Sequence, residues 1–432
     1  MSKLFFVLLT LTCLPLAAQS DYTAIGTAAA SIDDKVVEWR RHVHQYPELS
    51  NREFETGAYI ADHLQSLGME VRTGVAHTGV IGVLKGGKPG PAVALRADID
   101  ALPVTERADI PFASKAKGEY RGDTVGVMHA CGHDTHVAML MGAAELLAAR
   151  KADIPGTIVF LFQPAEEGPP VGEEGGAELM VKEGALGDYD VEAAFGIHIN
   201  SQTPVGHVNY KPGGTMAAAN RFEITVNGKQ AHGSTPWAGV DPITVAAQIV
   251  TGLQMIVARQ SELTKEAAVI SLGVIEGGVR NNIIPEQVKL IGTIRTLDEG
   301  MKADIFDRIR RTATNIAEAS GAEAEVVIDK GLPVTYNDPE LTEKMMATVR
   351  GTVGDDNVHL VNAITGSEDF SFFALEVPSV FYFLGGMSPG TDPGDAPGHH
   401  TPDFVIDEAG LTYGVRLYTN LALDYLSGRN GK

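Results

Sequence analysis

Thr157-Ile-Val-Phe-Leu-Phe-Gln163 runs without a break into Pro164-Ala-Glu166-Glu167-Gly168. A run of β-branched and aromatic residues ending in two adjacent carboxylates reads as a buried strand that delivers acid at its carboxyl end. Two other stretches repeat the pattern. Pro91-Ala-Val-Ala-Leu-Arg-Ala-Asp98 is a short strand ending in Asp98, and Val191-Glu-Ala-Ala-Phe-Gly-Ile-His198 is one ending in His198. In open α/β sheets, sites form outside the carboxyl ends of strands. Three strands would therefore gather Asp98, Glu166-Glu167 and His198 in one place, and the fold class this predicts is α/β, a sheet flanked by helices.

Between the first two of these strands lies Met128-His-Ala-Cys-Gly-His-Asp-Thr-His136. Cys131 and His133, one residue apart, offer a thiolate and an imidazole to one metal ion or to a pair. Val137 to Arg150 reads as a helix, with Asp134 or Thr135 as its N-cap. His42 and His44, in an earlier helix, are most simply surface or packing residues. Late in the chain, His399-His400 sits in a loop closed by Pro402. One of these histidines could complete a set with Cys131, His133, Glu167 and His198. Five ligands exceed what one zinc usually takes, so two bridged ions fit better. Of the carboxylates Glu166 and Glu167, one would bind metal and the other would shuttle a proton; a solvated acidic turn is the plainer alternative. Glu173-Glu174 is read as solvated.

Beyond Tyr210-Lys-Pro-Gly-Gly214 the pattern changes. Strands are expected at 221–226, 267–276, 287–296 and 324–328, with helices at 241–259 and 301–320. The order βαββαβ is the ferredoxin-like split arrangement. It makes residues 214–328 an α+β insert in a domain formed by 21–213 and 329–432.

The chain has 432 residues and a formal net charge of −21. Such a balance argues against nucleic acid and anionic membrane surfaces as partners. Lys3, the apolar run Leu4 to Leu16 and Leu16-Ala17-Ala18 read as a cleavable signal peptide over 1–18, which predicts a secreted or periplasmic protein. No later stretch is expected to span a membrane. Cys131 is the only cysteine after Cys13. A lone thiol in an oxidising compartment is a liability unless buried or bound to metal. Gly-x-Ser-x-Gly, His-Glu-x-x-His and Gly-x-Gly-x-x-Gly signatures at a strand–helix turn are missing. Gly82-Val-Leu-Lys-Gly-Gly87-Lys88-Pro89 fails as a P-loop, because Pro89 cannot supply the hydroxyl ligand.

Together with His44-Gln-Tyr-Pro-Glu-Leu-Ser50, Arg96-Ala-Asp-Ile-Asp-Ala-Leu-Pro103, Asn282-Ile-Ile-Pro285, Gly366-Ser-Glu-Asp-Phe370 and His400-Thr-Pro-Asp-Phe404, these motifs resemble the di-metal amidohydrolases of the aminoacylase and carboxypeptidase-G superfamily. The subgroup is that of hippurate hydrolases, N-acyl-amino-acid amidohydrolases and indole-acetyl-amino-acid hydrolases. The resemblance implies two divalent ions (Zn, Mn, Co or Ni), with Cys131 bridging and His133, Glu167, His198 and His400 completing the shells. Glu166 would be general base and then acid, and Asp98 a supporting carboxylate. The insert would be a lid that dimerises the protein and lends His232 to the active site of a partner copy. Asn282 and Arg295 would hold the substrate's carboxylate, although Arg295 is equally well a surface cation at a strand end. The implied activity is hydrolysis of the amide bond of small N-acyl or N-aryl-acyl amino acids. The rivals are a dipeptidase or carboxypeptidase with the same metals, and a non-catalytic metal-binding protein. Gly168-Pro-Pro-Val-Gly-Glu-Glu-Gly-Gly176 looks longer than the turn usual after Glu-Glu-Gly in that family.

Overall fold

Strands covered on both faces need nearly continuous apolar sequence, and two such runs, Lys88–Asp98 and Pro155–Gln163, lie at the centre of an eight-stranded mixed sheet. The computed structural model describes residues 21–429, so the expected signal peptide over 1–18 lies outside them. Across the sheet the order is Glu70–Val75, Gly79–Lys85, Pro155–Gln163, Lys88–Asp98, Val191–Pro204, Ser379–Met387, Val208–Tyr210 and Val358–Leu360. The four long strands from Pro155–Gln163 to Ser379–Met387 are mutually parallel. Asp98 sits opposite Gln163, and Arg96 opposite Gly196. The register thus brings Asp98, the turn after Gln163, and His198 to one level.

One face of the sheet is covered by Asp33–Gln45, His133–Ala148 and Leu411–Ser427, which share a core with Leu95, Phe160 and Phe195. On the opposite face lie the short helices Gly176–Lys182 and Ser371–Glu376.

The chain leaves this layer after Gly213–Met216 and returns through Thr335–Asn337. These two segments pair antiparallel, and a bridge joins Ala219 to Leu332, so entry and exit run side by side. Between them, strands Ala218–Asn227, Ala268–Gly277, Gln287–Thr296 and Glu323–Ile328 form an antiparallel sheet, with Gln287–Thr296 and Ala218–Asn227 in the middle. Helices Pro242–Gln260 and Glu299–Ala319 bury Ile249, Leu253, Ile305 and Ile309 against it. Contrary to the sequence expectation, Pro242–Gln260 is long and apolar enough to cross a membrane by length and composition. Those apolar positions include the face turned to the sheet, and core helices pass the same test.

Two local expectations are corrected. The helix expected over 137–150 starts at His133, and its N-cap is Gly132 rather than Asp134 or Thr135. Asp134 cannot cap because its carboxylate is drawn to Arg40 (2.7 Å) and His44 (2.9 Å), and Thr135 Oγ1 donates to the Gly132 carbonyl. His198 does not end its strand. Pairing with Ser379–Met387 carries that strand on to Pro204.

Candidate metal centre

Gly132 makes the tight connection between the sulfur and the first imidazole possible. Its φ is +96°, and a Cβ there would meet Ile199 Cγ2 at 2.4 Å, so a side chain is excluded on both counts. The turn after Pro155–Gln163 is just as constrained. Ala165 has φ +52°, and its N–H donates to the buried Glu53 carboxylate at 2.9 Å. Burial, aided by the Asp100 charge, pushes Glu53 up to about 8.

Three imidazoles face the sulfur of Cys131 or the two glutamates. His133 Nδ1 donates to the Asp100 carbonyl at 2.8 Å, and its Nε2 has no hydrogen-bond partner. His198 Nδ1 is likewise 2.6 Å from the Ile199 carbonyl, and its Nε2 lies 3.4 Å from Cys131 Sγ. His400 Nε2 is 3.2 Å from the same sulfur and 3.1 Å from Glu167 Oε1. The latter contact falls short of full hydrogen-bond geometry, yet Glu167 still holds the His400 imidazole above its ordinary value.

Two neighbouring histidines, His399 and His136, are occupied elsewhere. His399 Nδ1 lies 3.1 Å from the Cys131 carbonyl, and its Nε2 accepts from Ser201 N–H at 3.2 Å. Of the pair 399–400, only His400 therefore turns a free nitrogen to the sulfur. His136 Nδ1 meets Asp98 at 2.5 Å, and its Nε2 accepts from Ile199 N–H. His129 is buried away from any partner, and burial drives it down to about 3.

The donor set fits divalent metal. His133 Nε2 and Glu167 Oε1 are buried without a hydrogen bond, an expensive state that a coordinated ion would relieve. His133 with Glu166 and Glu167 forms one group of donors within 4.8 Å of each other, and Cys131 with Glu167 and His400 forms another. Glu167 belongs to both groups, and Cys131 belongs to a further one with His198 and His399. Without an ion, burial and the glutamates push the Cys131 thiol well up, and a bound cation inverts that preference. Thiolate, imidazole and carboxylate together suit Zn, Mn, Co or Ni.

Charge around the set is ordered by residues that sequence reasoning passed over. Asp100 accepts from Ser50 Oγ (2.8 Å) and Glu167 N–H (3.0 Å), and its carbonyl holds His133. Although burial opposes it, the Asp98 and Asp100 carboxylates push His133 up to about 10. Arg96 is buried and binds Asp98 and Glu368 at 2.8 Å and Asp369 at 3.1 Å. The alternation Arg96, Asp98, Asp100 along one strand and just past its end, and Glu368 inside the Gly366–Phe370 motif, carried that signal. Glu166 is largely buried, 3.8 Å from His133 Nε2. Burial first, then Glu368 and Glu167, raise its carboxyl well above the usual range.

His44, expected at the surface or in simple packing, is fully buried and bridges Asp134 (2.9 Å) and Glu106 (3.1 Å) beneath the cysteine loop. His42 does lie at the surface, stacked on Tyr59. Glu173 is exposed but forms a two-pronged pair with Arg52.

The insert residues are not brought to this cluster. His232 is exposed, with Nδ1 accepting from Ser234 N–H (3.0 Å) and 2.7 Å from its Oγ. Asn282 lies beside it, its carbonyl accepting from Gly233 N–H. Arg295 binds Thr293 Oγ1 and the Ile294 carbonyl. Among the described residues, no hydrogen bond or ion pair joins these three to the metal-ligand set.

The profile of peptidase family M20/M25/M40 matches residues 94–424. Thermostable carboxypeptidase 1 of Saccharolobus solfataricus is 40% identical over 396 residues, covering 91% of this chain and 96% of its own. N-acetyl-L-cysteine deacetylase of Bacillus subtilis is 38% identical over 384 residues, covering 88% and 86%. The crystal structure of the Bacillus subtilis YXEP protein, described as a dinuclear metal binding peptidase of the M20 family, aligns with a TM-score of 0.77. It shares 34% identity over 92% of this chain and 99% of its own.

Proposed function

The chain belongs to peptidase family M20/M25/M40 and is a metal-dependent amidohydrolase, and on that footing we propose how its residues divide the work and what they act on. The substrate is a small N-acyl or N-aryl-acyl amino acid, cleaved to a carboxylic acid and an amino acid. Cys131, His133, Glu167, His198 and His400 hold two divalent ions. When bound, these supply the Lewis acidity that makes water nucleophilic near neutral pH and polarises the carbonyl.

Glu166 moves the proton. The observation that carries this is its isolation. Its side chain is only 9% exposed and lies 3.8 Å from His133 Nε2, and among the described residues it makes no side-chain hydrogen bond. A carboxylate with no hydrogen-bond partner and a raised proton affinity suits a base that must also act as an acid. It takes a proton from the attacking water and gives it to the leaving nitrogen as the C–N bond breaks. Asp98, locked between Arg96 and His136, keeps the neighbouring imidazoles oriented.

We read the four-stranded insert over 214–328 as a ferredoxin-like lid, through which two copies pair. Exposed Val269 and Ile275 on its outermost long strand support such a contact. Pairing would bring a copy's His232 to the carbonyl oxygen of a substrate held by the partner subunit, with Asn282 and Arg295 binding its carboxylate. The apolar N-terminal run supports export to the periplasm or beyond.

Replacing Glu166 by Gln should lower kcat at least ~10²-fold while metal content, measured by elemental analysis, stays at two ions. Undiminished turnover in the metal-replete variant would sink the assignment. The likeness to a carboxypeptidase favours dipeptides as a second substrate class. A panel of N-acetyl and N-benzoyl amino acids against dipeptides decides between them.

A further inference from the structure

Two of the three imidazoles in the metal-ligand set are held through their own Nδ1, His133 by the Asp100 carbonyl and His198 by the Ile199 carbonyl. His400 has no such support. Among the described residues its Nδ1 makes no hydrogen bond, and its side chain is 54% exposed, so packing does not hold it either. Its backbone is left-handed, with φ +63°, a costly state for a residue other than glycine that persists only where the surroundings enforce it. A ligand that must meet both Cys131 Sγ and Glu167 therefore needs a brace outside its own ring.

His399 is placed to be that brace. Its Nε2 accepts from the Ser201 N–H at 3.2 Å. A backbone amide can only donate, so Nε2 is unprotonated and the ring proton sits on Nδ1. Nδ1 then donates to the Cys131 carbonyl at 3.1 Å. One residue on, the His400 N–H donates to the Ala130 carbonyl at 2.8 Å. Two successive donors of the late loop thus close on two successive carbonyls of the cysteine loop. Ser201 is buried, and its hydroxyl donates to the Pro397 carbonyl at 2.8 Å, which anchors the late loop a second time. The His399 ring also lies near Cys131 and His198. With one nitrogen donating and the other accepting, it has no lone pair left for an ion.

We propose that His399 is a positioning residue of the metal centre, whose Nδ1–H, fixed by Ser201, clamps the late loop to the Cys131 carbonyl and so sets His400 against the sulfur and Glu167. The inference rests on the two-ion reading and adds to it a residue that acts through two ligands without being one.

Substitution can separate the two bonds of His399. In Asn the amide nitrogen falls where Nδ1 is and still donates to Cys131, but nothing reaches Ser201. In Gln the amide oxygen falls where Nε2 is and still accepts from Ser201, but nothing donates to Cys131. Phe fills the space and makes neither bond. Cobalt(II) is titrated into each metal-free full-length protein. Competition with a chelator reads affinity, and the near-ultraviolet thiolate-to-cobalt absorption reads Cys131. The wild type should take up two ions and show that band, and His399→Asn should match it. His399→Gln and His399→Phe should bind cobalt about 10–100-fold more weakly, the usual cost of losing a group that orients a ligand, with the thiolate band weakened. Circular dichroism of the metal-free proteins reports whether each is folded, and should the Phe variant not fold, Gln against Asn decides. A folded Gln variant as tight as wild type, or an Asn variant as weak as Gln, overturns the clamp and leaves the two-ion reading standing. A wild type that takes up fewer than two cobalt ions, or takes them up without the thiolate band, overturns that reading and the clamp with it.

Discussion

The metal-ligand cluster and the insert handle their polar side chains in opposite ways. In the cluster, most functional groups are largely buried and several are held from behind. The Asp100 carbonyl fixes His133, the Ile199 carbonyl fixes His198, and Glu53 braces the turn before Glu166. On the insert, His232 is exposed and held only by its neighbour Ser234, and Arg295 is held only by groups on its own strand. The first region is preformed in one chain. The second is held only by local hydrogen bonds, and the proposal above has it completed by a partner copy.

The largest break in that contrast would come from His232. If it reaches the oxyanion of a partner's substrate, His232→Ala should lower kcat by about 10²–10³-fold, the cost of losing one such donor, with metal content unchanged. A turnover equal to wild type in that variant would make His232 a surface residue. Light scattering on the same samples should report a dimer.

A smaller effect is expected behind the cluster. Asp100→Ala removes the carboxylate that steadies Ser50 and the Glu167 backbone, and metal affinity should fall about 10–100-fold. Competition with a chelator measures it, and an unchanged affinity would mean the backbone carbonyl of residue 100 suffices.

Stability against pH sharpens the comparison least but tests the bracing directly. The Glu53 carboxyl, pushed up to about 8 in the fold, stays protonated there when the unfolded chain has already released its proton. Its contribution is full at acid pH and declines as pH rises from the ordinary carboxyl range through about 8. Wild type should therefore lose Tm relative to Glu53→Gln across that window, by an amount equivalent to a few kcal/mol at ~1.4 kcal/mol per pH unit. Parallel melting curves would show that Glu53 is not held in its neutral form.

The parts of the fold visible in the sequence were those set by local pattern. Apolar runs ending in Asp98 and Glu166-Glu167 marked the central strands and where their ends meet. The spacing of Cys131 and His133, with the lone-thiol argument, pointed to metal. What stayed hidden depended on distant partners. Asp134 looked like a helix cap because nothing in its neighbourhood announces Arg40 and His44, some ninety residues earlier. His44 looked superficial for the same reason. His198 seemed to end its strand because the pairing that prolongs it comes from Ser379–Met387. The choice between His399 and His400 needed the Ser201 N–H, which no spacing rule supplies.

The side-by-side pairing of Gly213–Met216 with Thr335–Asn337 has an architectural consequence. A module spliced in through adjacent doorposts can be lengthened, swapped or trimmed over evolution without rerouting a single strand of the host layer. The insert's sequence could therefore diversify on its own schedule while the layer that carries the metal-ligand cluster stays as it is.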